Sequence, residues 1–153
     1  MVKQLIYKSQ SVAEITPDLV DGLQFTAARF NKHRDITSIL LHSVNVFLQF
    51  LEGAPMDIDD LYKRILVDPR HMNIRSIYMG YAEERSYPHW RMRVYSEAER
   101  SVDFLTEPQR SFITSAGPLA GDCPQETIWI GPFMRSICKD HLPEKRPESS
   151  EFN

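Results

Sequence analysis

Gln49 is the residue of this sequence whose position most needs a chemical explanation. It interrupts the apolar run Val46-Phe47-Leu48-Gln49-Phe50-Leu51, whose neighbours predict deep burial. A buried amide without partners costs about 1–3 kcal/mol, so this side chain must hydrogen-bond to protein, water or a ligand. The residues alone leave two interpretations open: an amide tied to the fold or solvated on an edge strand, and an amide presented to a ligand.

Tyr7 raises the same question on a different strand. Tyrosine is common in strands, where its ring packs and its hydroxyl finds a partner. In a βαββαβ sheet the first and third strands are typically neighbours. We therefore expect Tyr7 and Gln49 on one face of the sheet, with hydroxyl and amide in contact.

Five further residues can serve either a site or the fold. Asn31 fits a helix C-cap, and Arg70 and His71 fit a solvated loop. Trp90 and Met92 alternate along a predicted strand and so point to one face, which is equally compatible with core packing. Their residue types alone do not decide between these interpretations.

The sequence contains few residues arranged to bind a metal or to catalyse a reaction. Cys138 and His141 form a Cys-x-x-His pair, but a structural zinc site normally needs four ligands. With Cys123 outside any paired motif, we expect two free thiols and no metal. The sequence contains no nucleophile elbow, phosphate loop or metal-ligand set, so we do not expect an enzyme.

Apolar periodicity predicts the elements that must position these side chains. Thr16 and Pro17 form an N-cap followed by proline at the first helical position. Asp68-Pro69 marks the end of a second helix. The predicted elements in chain order are a strand (4–9), a helix (17–32), two strands (36–42 and 46–51), a helix (58–66) and two strands (73–81 and 90–95).

The order βαββαββ predicts an α+β domain that is ferredoxin-like, with an added fifth strand and a mixed sheet. Both helices should lie on one face of that sheet. Beyond Ser96, prolines and glycines allow only short helices, at 108–115 and 132–142. We expect residues 97–142 to form a helical extension covering the other face, and 143–153 a disordered tail.

Composition describes an ordinary soluble chain. The 153 residues are 42% hydrophobic and 25% charged, with a net charge of −3. This charge gives no general attraction to nucleic acid or anionic membranes. The N-terminus does not resemble a signal sequence, and no apolar run reaches membrane-spanning length, so we expect a cytoplasmic protein.

Several segments together resemble a BLUF domain (blue-light sensing using FAD) of the short, single-domain type. They occur in the order and at the spacing of that family, over roughly residues 2–95. The matching segments are Leu5-Ile6-Tyr7-Lys8-Ser9, Asn31 shortly before Ile36-Thr37, Phe47-Leu48-Gln49-Phe50-Leu51-Glu52-Gly53, Asp68-Pro69-Arg70-His71 and Trp90-Arg91-Met92.

The resemblance implies that residues 1–96 hold FAD non-covalently between the two helices. Tyr7 and Gln49 would be the photoactive pair. In this family blue light drives electron and proton transfer from the tyrosine, and the glutamine is left rotated or tautomerised. An amide carries both a donor and an acceptor, so its reorganisation changes the hydrogen bonds to the flavin and shifts absorption to the red.

The resemblance also assigns roles to the other candidates. Asn31 would bond the polar edge of the flavin ring, and Arg70 and His71 would lie near the ring and the ribityl-phosphate side. Trp90 and Met92 would relay the signal. With no output domain attached, it implies a homo-oligomer that signals to a separate regulatory protein.

The chain departs from the family pattern in the strand after Asn31. Family members commonly have Gly-Ile-Thr-Gly where this sequence has Asp35-Ile36-Thr37-Ser38. We expect Asp35 to keep the turn, because aspartate tolerates positive φ, and Ser38 to be small enough for a ring to approach. Ala27 stands where many members have serine, and Asn45 can replace a turn glycine by a left-handed conformation. These changes predict altered rather than abolished flavin binding.

Two other functions remain open at this point. The first is a light-insensitive interaction module that kept the fold and lost the flavin. The second is a small hydrolase on the same ferredoxin-like scaffold, with Arg70 or His71 in its site.

Overall fold

The computed structural model describes residues 1–89 and 91–96. Its elements follow the predicted order βαββαββ. They are β1 (Val2–Ser11), α1 (Pro17–His33), β2 (Thr37–His42), β3 (Val46–Gly53), α2 (Pro55–Leu66), β4 (His71–Ala82) and β5 (Arg93–Ser96). Trp90, the predicted extension at 97–142 and the predicted tail at 143–153 lie outside the described residues, so those expectations stay predictions.

The five strands form one mixed sheet in the order β4-β1-β3-β2-β5. The first four are antiparallel to their neighbours, and β5 pairs in parallel with β2. This order confirms the ferredoxin-like sheet with an added edge strand. Because β1 and β3 are central neighbours, their side chains are buried on both sides.

The helices begin at the residues that the sequence indicates. The Thr16 side chain accepts a hydrogen bond from the Leu19 N–H, and prolines occupy the first turns of both helices. α2 begins at Pro55, earlier than the apolar periodicity predicted. The C-cap of α1 is Arg34, whose N–H bonds to the Phe30 carbonyl. The interpretation of Asn31 as a C-cap is therefore wrong, since it lies inside the helix.

Two apolar clusters pack on the helix side of the sheet. Under α2, Leu5 and Leu51 contact Ile58, with Tyr7 in the same cluster. Under α1, a second cluster is formed by Leu40, Phe47 and Met92 from the sheet side and by Leu23 and Ala27 from the helix. Each helix thus covers mainly one cluster, although Phe30 of α1 packs on the α2 cluster, and the space between the clusters is available to a site.

Positive φ angles occur at two non-glycine residues of the described chain, Asp35 (50°) and Asn73 (52°). The turn expected of Asp35 is confirmed. The left-handed conformation expected of Asn45 is not present; its turn is closed instead by the Ser43 N–H, which donates to the Val46 carbonyl at 3.0 Å. Asn73 lies where the β1–β4 register shifts, as is typical of a β-bulge.

The fifth strand is shorter than predicted. It begins at Arg93, so Met92 precedes the strand and is not one of its alternating residues. Met92 instead contacts Ser38 and Gln49, a tertiary contact that local periodicity does not reveal. No helix in the part of the chain that the structure describes is long and apolar enough to span a membrane.

Candidate functional site

A cavity of about 280 Å³ lies between α1 and α2 above the sheet. Residues from both apolar clusters line it, including Leu23, Phe47, Leu61 and Ile65. Its volume is near the lower end of the range of about 300–1,000 Å³ that is typical of ligand pockets. The two-cluster core therefore leaves a slot suited to a flat, largely apolar group.

Tyr7 and Gln49 lie together on the sheet side of this cavity. They are directly paired residues on β1 and β3, and the Tyr7 hydroxyl donates a hydrogen bond to Gln49 Oε1. Both are buried, at 4% and 7% exposure. The predicted contact between hydroxyl and amide is thus present, because paired residues of an antiparallel ladder project to the same face.

Burial governs the protonation of Tyr7. Desolvation raises the pKa of its phenol well above the ordinary value, and the negative charge of Asp68 acts in the same direction. The hydroxyl therefore stays protonated at physiological pH. It remains a donor to Gln49.

The other end of the Gln49 amide meets a weak partner. Its Nε2 lies 3.6 Å from Met92 Sδ, and a thioether sulfur is a poor acceptor. Gln49 also lines the cavity. An amide held firmly at its oxygen and weakly at its nitrogen retains donor capacity for a ligand with an exposed acceptor.

Asn31 is almost completely buried, at 1% exposure, and lines the cavity from α1. Its Nδ2 donates to Ser38 Oγ at 2.9 Å and to the Arg91 carbonyl at 2.5 Å. Both amide hydrogens are therefore used within the fold. These two bonds tie α1 to β2 and to the segment before β5. The side-chain carbonyl oxygen of Asn31 is what it can still offer to a ligand.

His71 is held in place on both sides of its ring. Nδ1 lies 2.8 Å from Ser9 Oγ and Nε2 lies 2.8 Å from the Ile65 carbonyl. Because a carbonyl only accepts, Nε2 carries the hydrogen. The ring stands edge-on to Tyr7, with centroids 6.2 Å apart. The interpretation of His71 as a solvated loop residue is therefore wrong.

Arg70 lies at the cavity mouth, and its side chain is 47% exposed. Its guanidinium bonds to the Asp68 carboxylate at distances from 2.5 to 3.1 Å. These bonds lower the pKa of Asp68. Arg64 lines the same cavity and stacks over the Phe30 ring at 5.1 Å. Two arginines and one carboxylate thus give this entrance a net positive charge.

Sequence reasoning assigned no role to Arg64, which lines the cavity, or to Ser9, which contacts His71. Signals for both exist in retrospect. Ser9 is two residues after Tyr7 and so projects from the same face of β1. Arg64 is three residues after Leu61 and so lies on the same side of α2.

The residues of the cavity fit the flavin that the sequence led us to expect. Leu19, Leu23, Ala27 and Phe30 face it from α1, yet all four remain only half-buried in a helix that is otherwise well capped. A flat aromatic group in the slot would complete their burial. The Gln49 amide, the Asn31 carbonyl and the Tyr7 hydroxyl would meet its polar edge.

Comparison with known proteins agrees with this geometry. The model of the family described as "BLUF: Sensors of blue-light using FAD" matches residues 2–93. Photoactivated adenylate cyclase subunit beta of Euglena gracilis is 35% identical over 114 residues, which are 71% of this chain and 13% of that protein. The chain thus spans only a small part of that relative.

Solved structures agree in fold. BlrB, a BLUF protein in its dark state, is 26% identical with a TM-score of 0.64, covering 88% of this chain and 96% of that one. Klebsiella pneumoniae BlrP1 with FMN and cyclic diGMP is 31% identical with a TM-score of 0.62, covering 67% of this chain and 28% of that one. With the family model matched from β1 to the first residue of β5, this chain belongs to the BLUF family of blue-light sensors.

Proposed function

We propose that this protein is a blue-light photoreceptor that binds FAD non-covalently and responds to light by rearranging the hydrogen bonds around Tyr7 and Gln49. The observation that carries the proposal is the buried hydroxyl–amide pair beside the cavity between the helices. The proposal treats the chain as a sensor and not as an enzyme.

The bound flavin would supply absorption of blue light and a partner for electron and proton exchange with a nearby phenol. Tyr7 holds the proton that such an exchange would use, since burial raises its pKa. Gln49 can exchange its donor and acceptor ends by rotation or tautomerisation, because its nitrogen is bound only weakly by Met92. After such a change the same amide would present a different group to the cavity.

We assign the remaining candidates to cofactor binding and to relay. Asn31 would meet the ring edge through its carbonyl oxygen, and His71 would border the ring next to Tyr7. Arg70, at the positively charged mouth, would lie near the ribityl-phosphate side. Met92 is supported as a relay residue by its contact with Gln49. The relay role of Trp90 rests on the family resemblance alone.

The choice of FAD over FMN rests on the family description, and BlrP1 has been solved with FMN. Release of the flavin by denaturation, followed by mass measurement, distinguishes the two. We expect FAD to be recovered. Recovery of FMN alone would correct this part of the proposal without touching the photochemistry.

The rest of the signalling assignment also follows from resemblance. We propose a cytoplasmic homo-oligomer that acts on a separate regulatory protein, with no direct nucleic-acid or membrane binding. Two relatives support regulation of an effector by their names, the Euglena cyclase subunit and the BluF antirepressor of Escherichia coli, which is 33% identical over 87 residues. The net charge of −3 supports the absence of nucleic-acid binding.

Three variants test the photochemical pair. We expect Tyr7→Phe and Gln49→Ala to keep the yellow flavin and lose the reversible red shift, because each removes one partner of the hydrogen bond. Tyr62→Phe is the matched control, since its ring lies 6.1 Å from that of Tyr7 and it loses the same atom. A red shift that survives in Gln49→Ala would overturn the proposed mechanism.

A further inference from the structure

The two residues that replace family glycines contact the same short segment of the chain. Asp35 lies in the turn before β2, and Ser38 lies within β2. Asp35 binds the Arg91 side chain, and Ser38 contacts the Arg91 carbonyl and the Met92 sulfur. Arg91 and Met92 directly precede β5. Glycine has no side chain to make either contact.

Ser38 is fully buried and stands between three groups. Its hydroxyl accepts from Asn31 Nδ2, and it lies 3.1 Å from the Arg91 carbonyl and 3.0 Å from Met92 Sδ. Its single hydrogen serves one of these two acceptors at a time. Either choice holds the Arg91–Met92 segment against β2.

Asp35 holds the same segment from the solvent-exposed side. Its carboxylate accepts from Arg91 Nη1 at 2.6 Å and from Arg85 Nη2 at 3.1 Å. Arg85 in turn donates to the Glu52 carbonyl at 3.1 Å, so this arginine is anchored to β3. The positive φ of Asp35 aims its carboxylate at both arginines from a turn that most residues would not adopt.

Met92 transmits this placement to the photoactive pair. Its sulfur accepts from Ser38 and lies 3.6 Å from Gln49 Nε2. A shift of the segment would remove the acceptor that faces the Gln49 amide. The position of this amide therefore depends on side chains that contact neither Tyr7 nor Gln49.

We propose that Asp35 and Ser38 form a latch that holds the Arg91–Met92 segment against β2 and thereby positions the Gln49 amide. They are positioning residues and act through Met92. The latch itself is a property of the protein without ligand. Its consequence for the response to light rests on the function proposed above.

Hydrogen exchange and NMR of the flavin-free protein test the latch directly. In Ser38→Ala we expect the backbone amides of residues 92–96 to exchange about 2- to 10-fold faster, the effect of losing one net hydrogen bond. The side-chain amide signal of Gln49, assigned by its absence in Gln49→Ala, should also move. In Asp35→Asn, which keeps the tolerance for positive φ, we expect a smaller change of about 2-fold, because the pair is exposed.

Ser11→Ala is the matched control. It removes the hydroxyl of a buried serine from β1, which donates to the Ala13 carbonyl and not to the Arg91–Met92 segment. We expect it to leave the Gln49 signal in place. Ser38→Cys keeps a weak donor of similar size, so its exchange rates at residues 92–96 should lie between those of Ser38→Ala and the unaltered protein. This variant replaces Ser38→Ala if the alanine variant does not fold.

The possible outcomes separate this proposal from the proposed function. Unchanged exchange at 92–96 and an unmoved Gln49 signal in Ser38→Ala would overturn the latch, whatever the flavin does. The same changes in Ser11→Ala would also overturn it, because they would show general destabilisation. In the flavin-loaded protein we expect Ser38→Ala to shift the dark absorption maxima, because the Gln49 amide would no longer be held in the same position. A protein that binds no flavin would sink the proposed function and leave the latch results standing.

Discussion

Tyr7 and Gln49 show how far residue-scale reasoning reaches. The sequence predicts their pairing because strand order and alternation determine which side chains meet, and the structure confirms the contact. Sequence could not supply the thioether next to Gln49, since Met92 arrives from a segment 43 positions away. A contact of this kind depends on how a non-repeating segment packs, which periodicity does not encode.

The raised pKa of Tyr7 predicts a pH dependence of stability. Below pH 10 the phenol is protonated in both folded and unfolded chains, so its contribution is fully present. Above pH 10 the unfolded chain ionises this group while the folded chain resists, so the free energy of unfolding falls. We expect denaturant titrations of the flavin-free protein, made between pH 8 and 11 in steps of ~1 unit, to measure this fall. The free energy of unfolding should decrease more steeply with pH for the unaltered chain than for Tyr7→Phe. Equal slopes would contradict the burial of an un-ionised phenol.

Met92→Leu isolates the sulfur as an acceptor. The exchange conserves volume, so we expect a loss of less than about 1.5 kcal/mol in the free energy of unfolding. It removes the acceptor shared by Ser38 and Gln49, so the flavin absorption maxima should shift in the dark. Dark spectra of the two proteins check this. Identical spectra would mean that the thioether does not influence the Gln49 amide.

At the scale of elements, the turn between β4 and β5 is held by a side chain to which the sequence analysis assigned no role. Glu52 is completely buried at the end of β3. Its carboxylate accepts from the backbone N–H groups of Ser86 at 2.9 Å and Tyr87 at 2.6 Å. A buried carboxylate bonded to a distant turn leaves no signal in local propensity, which is why it was missed.

Glu52→Ala should therefore be strongly destabilising. It leaves the N–H of the buried Tyr87 without its acceptor, at about 1–3 kcal/mol, and also removes the acceptor of the Ser86 N–H. Glu14→Ala is the control, because this glutamate is exposed. Urea unfolding of both variants measures the difference. If Glu52→Ala loses no more free energy of unfolding than Glu14→Ala, the carboxylate is not an anchor of this turn.

Element boundaries were predicted best where local chemistry decides them. Thr16 and Pro17 determine the start of α1, and a helix there needs no tertiary information. The prediction was wrong where long-range contacts decide. β5 starts only at Arg93 because Met92 turns towards Ser38, and β4 begins two residues early because a bulge at Asn73 lets His71 join the sheet.

At the scale of the whole molecule, the core contains a cavity suited to a ligand. Two apolar clusters flank a cavity, and the residues of α1 that face it are half-buried. Sequence periodicity identified the apolar faces of both helices but could not show that a cavity-sized separation remains between them. That separation depends on which strands each helix covers, α1 lying over β2 and β5, and α2 over β1 and β3.

Flavin binding should accordingly stabilise the fold. A ligand that binds only the folded chain adds about 2.7 kcal/mol at a free concentration one hundred times its dissociation constant. We expect the Tm to rise with added FAD and the amides of α1 to exchange more slowly. ATP added in place of FAD, in buffer without riboflavin, is the control for stabilisation by the adenine moiety alone. A Tm that is insensitive to FAD would contradict a cavity shaped for flavin.

The central claim is that a flavin in this cavity reports light through Tyr7 and Gln49, and one spectrum tests it most directly. The absorption of the purified protein is recorded in the dark, after blue light and again after dark recovery. We predict flavin bands that shift to the red and return. A protein that stays colourless after incubation with FAD, or one whose flavin bands do not shift reversibly, would contradict the account.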